Sequence, residues 1–340
     1  YTTHDATVYY EDVASQNFDR ILSLEAERFR YLSLSENMLE SEREVVKEER
    51  RMRTDNSPSG TLIEAFFSAA YKVHNYRWPV VGWMKDLDAI KLSDCQAFFT
   101  THYNPKNITL IVVGAVKHEE VFKRVEHHFG SWKAQPRPAR QAMSEPALTE
   151  RREKTVRFAT NTPLLLGGWA VPAAKHEDIT PLKVLGKILS DGASSRLYRE
   201  LVYSKELAQY AAGDVLTQAD NGQFYLWSAA RPGVNIDAVE AAMIEVVEGV
   251  KTGGVSEAEL NRAKAQAESE SVGKLKKAHG IAGLLGWSLM YHGDWRPALS
   301  ELDRLRAVRA EDVQRVAKTY LDKDRITVVK LLPLAKEAQP

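Results

Sequence analysis

In the stretch "SEREVVKEERR", residues 41–51, two carboxylates share one side of a helical projection with apolar residues. Leu39, Val45, Val46 and Met52 fall on that side, while Arg43, Glu44, Lys47, Glu48, Arg50 and Arg51 fall on the other. Glu42 and Glu49 stand two turns apart, and at roughly 100° per residue they are about 20° from being in line. A carboxylate on a core-facing stripe loses hydration unless a cation, a donor or water restores it. Two chemistries fit: pairing with the neighbouring arginines on an exposed helix, or metal ligation in which one carboxylate binds Zn2+ and a second orients it.

A zinc site needs further ligands, so the histidines decide how far the second reading goes. His4, His74, His102, His118, His127, His128, His176, His279 and His292 contain neither H-E-x-x-H nor H-x-x-E-H. His127 and His128 are neighbours, about 100° apart on a helix, and cannot chelate one ion together. The sequence holds no complete metal site. "DGASSR" is not a G-x-S-x-G nucleophile elbow and "LGKIL" is not a phosphate loop. The lone Cys95 has no evident His partner, excludes an internal disulfide and reads as a small core residue. Tyr71, Tyr76, Trp78 and Trp83 read as a packed aromatic loop.

With 340 residues, 44% hydrophobic and 27% charged, the composition is that of a globular protein long enough for two domains. Lys plus Arg and Asp plus Glu are equal at 46 each, so no net field argues for nucleic acid or an anionic membrane surface. No apolar run reaches the roughly 18 residues of a membrane span. The chain opens at Tyr1, and "YTTHDATVYYEDV" alternates like a strand in mid-course, so polypeptide upstream of Tyr1 is expected.

These residues are positioned by elements that the spacing predicts. A helix is expected over 16–32, then one starting near Ser33 or Ser41, both followed by Glu at capping-box spacing, then helices over 61–73, 93–102 and 119–128. "NITLIVVGAV" reads as a buried strand, and "QPRPARQAMSEP" as a linker. Beyond it come the strand "TPLLLGGWAV", a helix over 180–189, a hairpin signalled by Asn221-Gly222, and helices over 237–252 and 256–275. Segments of the two halves match in order: Val8 with Phe224, "SEREV" with "SEAEL", His74 and Pro79 with His292 and Pro297, Tyr103 with Tyr320. This pattern predicts an internal duplication. It implies an α+β fold of two related α/β sandwich domains, 1–132 and 151–340, joined by a linker over 133–150. Each would have a mostly antiparallel sheet packed with helices, the first lacking its N-terminal part. Glu42 matches Glu257, but Glu49 matches Lys264, so only the first half keeps the candidate ligand.

"EREVVKEERRMR", taken with "YTTHDATVYYEDV" and "HYNPKNITLIVVGAV", resembles the pitrilysin/insulinase family of zinc metallopeptidases, the inverzincins, over essentially the whole chain. In that family two His of an H-x-x-E-H motif bind zinc, its Glu is the general base, and a third ligand comes from a later E-x6-E helix. The resemblance puts that ligand at Glu49 and its supporting carboxylate at Glu42. It places H-x-x-E-H before residue 1, and makes the strand beginning with Tyr1 and Thr2 the edge that holds substrate by β-addition. The family's second domain often carries an Arg and a Tyr, seven apart, that touch substrate after "SSRLxxEL". Here Val202 and Gln209 stand in that register, with the candidate contacts Tyr203 and Tyr210 one place on.

The resemblance thus implies a zinc-dependent endopeptidase subunit acting on peptides or unfolded segments, in which zinc-bound water attacks a peptide carbonyl. It also implies a homo- or heterodimer with a related subunit and, from the look of "SSRLYRELVYSKELAQYA", a periplasmic setting. The alternative is a non-catalytic partner subunit of a peptidase or membrane-complex assembly, and a third reading is a binding module. Zinc content separates them. The chain as given is expected to lack activity, because the His pair and the base are not in it.

Overall fold

Hydrophobic spacing becomes helix where it was expected to, and the computed structural model describes residues 1–140 and 143–334. The first half contains α1 (Phe18–Tyr31), α2 (Glu36–Arg50), α3 (Pro58–Ala70), α4 (Met84–Ala89), α5 (Leu92–His102) and α6 (His118–Phe129). The second half runs β1 (Arg152–Phe158), β2 (Leu164–Val171), α7 (Ile179–Ser190), β3 (Ala208–Leu216), β4 (Gly222–Ala230) and α8 (Ile236–Gly253). It continues through α9 (Glu257–Leu275), α10 (Ala278–His292), α11 (Glu301–Ala307), α12 (Ala310–Tyr320) and β5 (Thr327–Pro333). α2 starts at neither Ser33 nor Ser41. Ser35 caps it: its carbonyl accepts from the Leu39 N–H at 3.0 Å and its Oγ from the Met38 N–H at 3.4 Å.

The five strands form one sheet in the order β1-β5-β2-β4-β3. β1 runs parallel to β5 and every other pairing is antiparallel. β3 and β4 make the expected hairpin, although residues 217–221 lie between them rather than a two-residue turn. Both faces of the sheet are covered, which is why β2 reads as a near-continuous apolar run. On one face Leu165 and Trp169 join a core with Leu182, Leu185 and Val316 from α7 and α12; on the other Leu164 and Leu166 pack on Leu62 and Phe66 of α3.

The matching strands of the first half do not form. Residues 107–116 are irregular, and the opening segment contributes a single isolated bridge between Thr2 and Thr7. A strand exists only by exchanging hydrogen bonds with a neighbour. In the second half β4 and β5 are held by β1, β2 and β3, and residues 1–140 contain no counterpart of those three.

The helices do repeat, with their local devices. The Asp94 carboxylate accepts from the Lys91 N–H at 2.9 Å, and the matching Asp312 carboxylate accepts from the Arg309 N–H at 3.0 Å. A Cβ on Gly60 would lie 1.9 Å from the Arg53 carbonyl oxygen, and one on Gly280 would lie 2.0 Å from that of Lys274. Gly60 lets the first turn of α3 press onto the π-helical stretch Arg51–Asp55 that follows α2, and Gly280 lets the first turn of α10 press onto the last turn of α9.

Two compact units result: Tyr1–Arg50 with Val80–Ala142 and Gly273–Ala298, and Arg51–Pro79 with Met143–Val272 and Leu299–Pro340. The units are therefore not simply successive halves of the chain. Residues 51–79 count with the second half and 273–298 with the first, and these two stretches carry the matched His74 and His292.

Candidate metal and substrate site

α2 carries both Glu42 and Glu49, and it is held by its basic side. The Arg43 guanidinium donates to the carbonyls of Leu87 and, at 2.6 Å, of Ile90. Lys47 pairs with Asp88 at 3.0 Å, and Arg50 donates to the Gly82 carbonyl at 2.8 Å. The apolar stripe, expected to face a core, is open at Val45 and Met52, 57% and 64% exposed, while Leu39 and Val46 are half-buried. Glu42 is exposed and Glu49 half-buried. The desolvation argument that singled out these carboxylates therefore does not hold within the described residues, and what remains is an accessible acidic face. At the place of Glu49 in the second half, Lys264 donates to the Arg306 carbonyl at 2.8 Å and caps α11.

Tyr1 and Thr2 belong to the same unit as α2. They close a turn on themselves: the Tyr1 amino group donates to the Val8 carbonyl at 3.0 Å, and the Val8 N–H donates to the Tyr1 carbonyl at 2.9 Å. The opening segment is thus a short two-sided turn whose one bridge joins Thr2 to Thr7, and it pairs with no named strand among the described residues.

Tyr203 and Tyr210 lie in the other unit. Tyr203 is on a π-helical stretch, Tyr198–Ser204, and is 77% exposed. Tyr210 is on β3, its ring 5.7 Å from that of Trp227 and edge-on to it, and partial burial raises the pKa of its hydroxyl. The stretch before them is fixed by an ion pair that sequence spacing did not single out. Arg196 donates to both Glu259 oxygens, at 2.7 and 2.9 Å, and Glu259 also accepts from the Ser256 N–H and Oγ, each at 2.9 Å. The Ser256–Glu259 capping box was the visible part of this signal. Arg196 above all holds the Glu259 carboxyl down to about 2. A lowered folded-state pKa gives stability that is full above the ordinary value and lost as pH falls through the folded one. Glu259→Gln is thus expected to cost about 2 kcal/mol at pH 7, after allowance for partial exposure, and the deficit should fade between about pH 4.5 and 2. Urea unfolding of both proteins at several pH values measures it.

The expected aromatic loop is half buried: Tyr71 and Tyr76 are enclosed, while Trp78 is exposed. Cys95 is not a core residue. It lines an apolar groove of about 510 Å3 in the first unit, together with Tyr9, Phe29, Phe98, Phe99 and Tyr103. The helix ends and the Asp94 and Asp312 caps set a register one residue away from the expected pairing of Tyr103 with Tyr320, and in it Cys95, Phe98 and Phe99 correspond to Val313, Val316 and Ala317, fully buried where α12 packs on α7.

Among the described residues no three His, Cys, Asp or Glu side chains converge to hold a metal ion. A catalytic zinc takes three protein ligands, and α2 offers at most the two carboxylates of Glu42 and Glu49 without an imidazole. These residues alone do not fit the ion.

A family model described as insulinase, peptidase family M16, matches residues 1–82, and one described as the peptidase M16 inactive domain matches 89–267. The chain is 33% identical over 338 residues to the zinc protease PqqE of Helicobacter pylori, covering 98% of this chain and 75% of that protein. It belongs to the insulinase family. An uncharacterised zinc protease of Mycobacterium leprae is 30% identical, over 95% of this chain and 73% of its own length. The crystal structure of a protease from Helicobacter pylori superposes with a TM-score of 0.91 at 33% identity, over 94% of this chain and 78% of that one. A peptidase M16 inactive domain from Pseudomonas fluorescens, at 16% identity and a TM-score of 0.85 over 96% and 77% of the two chains, shares the fold. The insulinase-family match agrees with the α+β architecture. No helix among the described residues is long and apolar enough to cross a membrane.

Proposed function

We propose that this chain is the larger part of a zinc-dependent endopeptidase subunit, in which α2 presents Glu49 as one metal ligand and Glu42 as the carboxylate that orients it. The pair of carboxylates two turns apart on α2, Glu42 exposed and Glu49 half-buried, carries this reading, in a chain whose relatives are named zinc proteases. The imidazole ligands and the general base are assigned to polypeptide outside these 340 residues, seated in the groove beside α5. Support comes from the repeat, because the matched surface of α12 is covered by α7. Tyr203 and Tyr210 would meet peptides or unfolded segments, and a related chain would complete the assembly.

Metal analysis and a quenched-peptide assay test the proposal. The 340-residue chain is expected to hold far less than one zinc per molecule and to cleave nothing. A form extended by the coding sequence immediately upstream of Tyr1 is expected to hold one zinc per chain, lost on Glu49→Gln and bound about 10–100-fold more weakly on Glu42→Gln. Stoichiometric zinc on the 340-residue form would show that the ligands are misassigned. An extended form without zinc would leave the non-catalytic partner subunit as the reading.

A further inference from the structure

Residues 51–79 enter the second unit through many separate contacts. Leu62, Ala65 and Phe66 of α3 are buried against Leu164 and Leu166 of β2, Ala229 of β4, and Val329 and Leu331 of β5. Polar contacts ring this apolar seat. The Arg152 guanidinium donates to the carbonyls of Ala69 and Ala70, both at 2.9 Å, and so closes the C-terminal end of α3. The Glu145 carboxylate accepts from the backbone N–H groups of Lys72, Val73 and His74 at 2.7, 2.9 and 2.9 Å. His74 Nε2 lies 3.0 Å from the Asp220 carboxylate, and its Nδ1 accepts from the Tyr76 N–H at 3.2 Å. The Tyr71 hydroxyl donates to the Asn221 carbonyl at 2.8 Å.

Apart from Tyr76, which belongs to the same stretch, every one of these partners lies beyond residue 142, while α3 lies before it. The covalent path between them runs through a connector whose residues 133–135 are exposed and without regular structure. Nothing in the seat of α3 depends on that path.

We infer that the sheet face of Leu164, Leu166, Val329 and Leu331 is a docking surface for residues 51–79 strong enough to hold the two halves together as separate polypeptides. Its partner is an amphipathic helix followed by a loop that offers three successive N–H groups to a carboxylate. The connector serves to raise the local concentration of one half near the other during folding, and is dispensable once the surface is filled. This inference is independent of zinc and of peptidase activity.

The test inserts a recognition sequence for a site-specific protease between Ala134 and Gln135 of the full chain and cuts the native protein. The two pieces are expected to elute together at a 1:1 ratio in size-exclusion chromatography and to separate only under denaturing conditions. Arg152→Ala combined with Glu145→Ala, both at the rim of the seat, should lower the urea concentration at which the cut pieces part, while the uncut variant elutes as the wild type does. Pieces that elute apart, or one that precipitates on cutting, would overturn the inference. So would rim substitutions that leave the parting concentration unchanged, since the association would then lie elsewhere.

Discussion

Lys330→Ala is expected to lower the free energy of unfolding by about 3 kcal/mol, because it strips one of two cations from the buried carboxylate of Glu240. Lys330 sits on β5, flanked in the sheet by β1 and β2, and is 8% exposed. Its Nζ donates to Asp237 at 2.7 Å and to Glu153 at 2.9 Å, and lies 2.9 Å from Glu240, itself buried. Arg151 reaches Glu240 at 2.6 Å and Glu153 at 2.8 Å, so removal of Lys330 leaves these two carboxylates sharing one guanidinium and returns the exposed Asp237 to water. Burial by itself would lower the ammonium pKa, but the hydrogen bonds to Asp237, Glu153 and Glu240 outweigh it and raise the value. A raised folded-state pKa gives stability that is full below the ordinary lysine value and is lost only as pH climbs through the folded one. The loss on Lys330→Ala should therefore be flat across neutral pH and shrink only in strong alkali. Lys330→Met paired with Glu240→Leu should cost less than Lys330→Ala, since removing both charges leaves no deeply buried carboxylate unpaired. Urea denaturation gives each value, and a deficit under about 1 kcal/mol for Lys330→Ala would show the cluster to be solvated.

The second large effect is a coupling between α3 and β2. Gly168 lies on β2 opposite Tyr225, and a Cβ placed there would stand 2.4 Å from Cζ of Phe66. Phe66 is 2% exposed, so Phe66→Ala should cost about 3–5 kcal/mol through lost burial and the cavity left behind. Gly168→Ala in the wild type must push the ring aside, at about 1–3 kcal/mol. With Phe66→Ala already present, the added methyl enters the cavity, and Gly168→Ala should become neutral or stabilising. The two substitutions are expected to miss additivity by about 1–3 kcal/mol in a double-mutant cycle. Additive values would mean that the ring does not occupy the space above Gly168.

Much of the helical architecture was legible because helix is a local property. α7, α8 and α9 appear where apolar residues recur at helical spacing, and in the structure Ser256 and Glu259 cap the start of α9. The repeated helix pattern was legible too, and Asp94 and Asp312 cap the matched helices in the same way. Strands were legible only where partners exist. "TPLLLGGWAV" became β2 between β4 and β5, whereas "NITLIVVGAV", no less apolar, stayed irregular because no described strand lies beside it.

The candidate site divides along the same line. The E-x6-E spacing placed Glu42 and Glu49 on one side of α2 whatever the rest of the chain does, since helical geometry alone requires it. Whether that side is buried depends on what packs there, and Arg43, Lys47 and Arg50 anchor the helix by its other flank. The sequence by itself determined the periodic elements and the family, both of which rest on local patterns of residues. Only the tertiary structure decided which carboxylates face water, which strands find partners, and that residues 51–79 complete the core of the other half. Those outcomes depend on contacts between distant residues, where free energy is set by the surface a segment covers rather than by its own pattern.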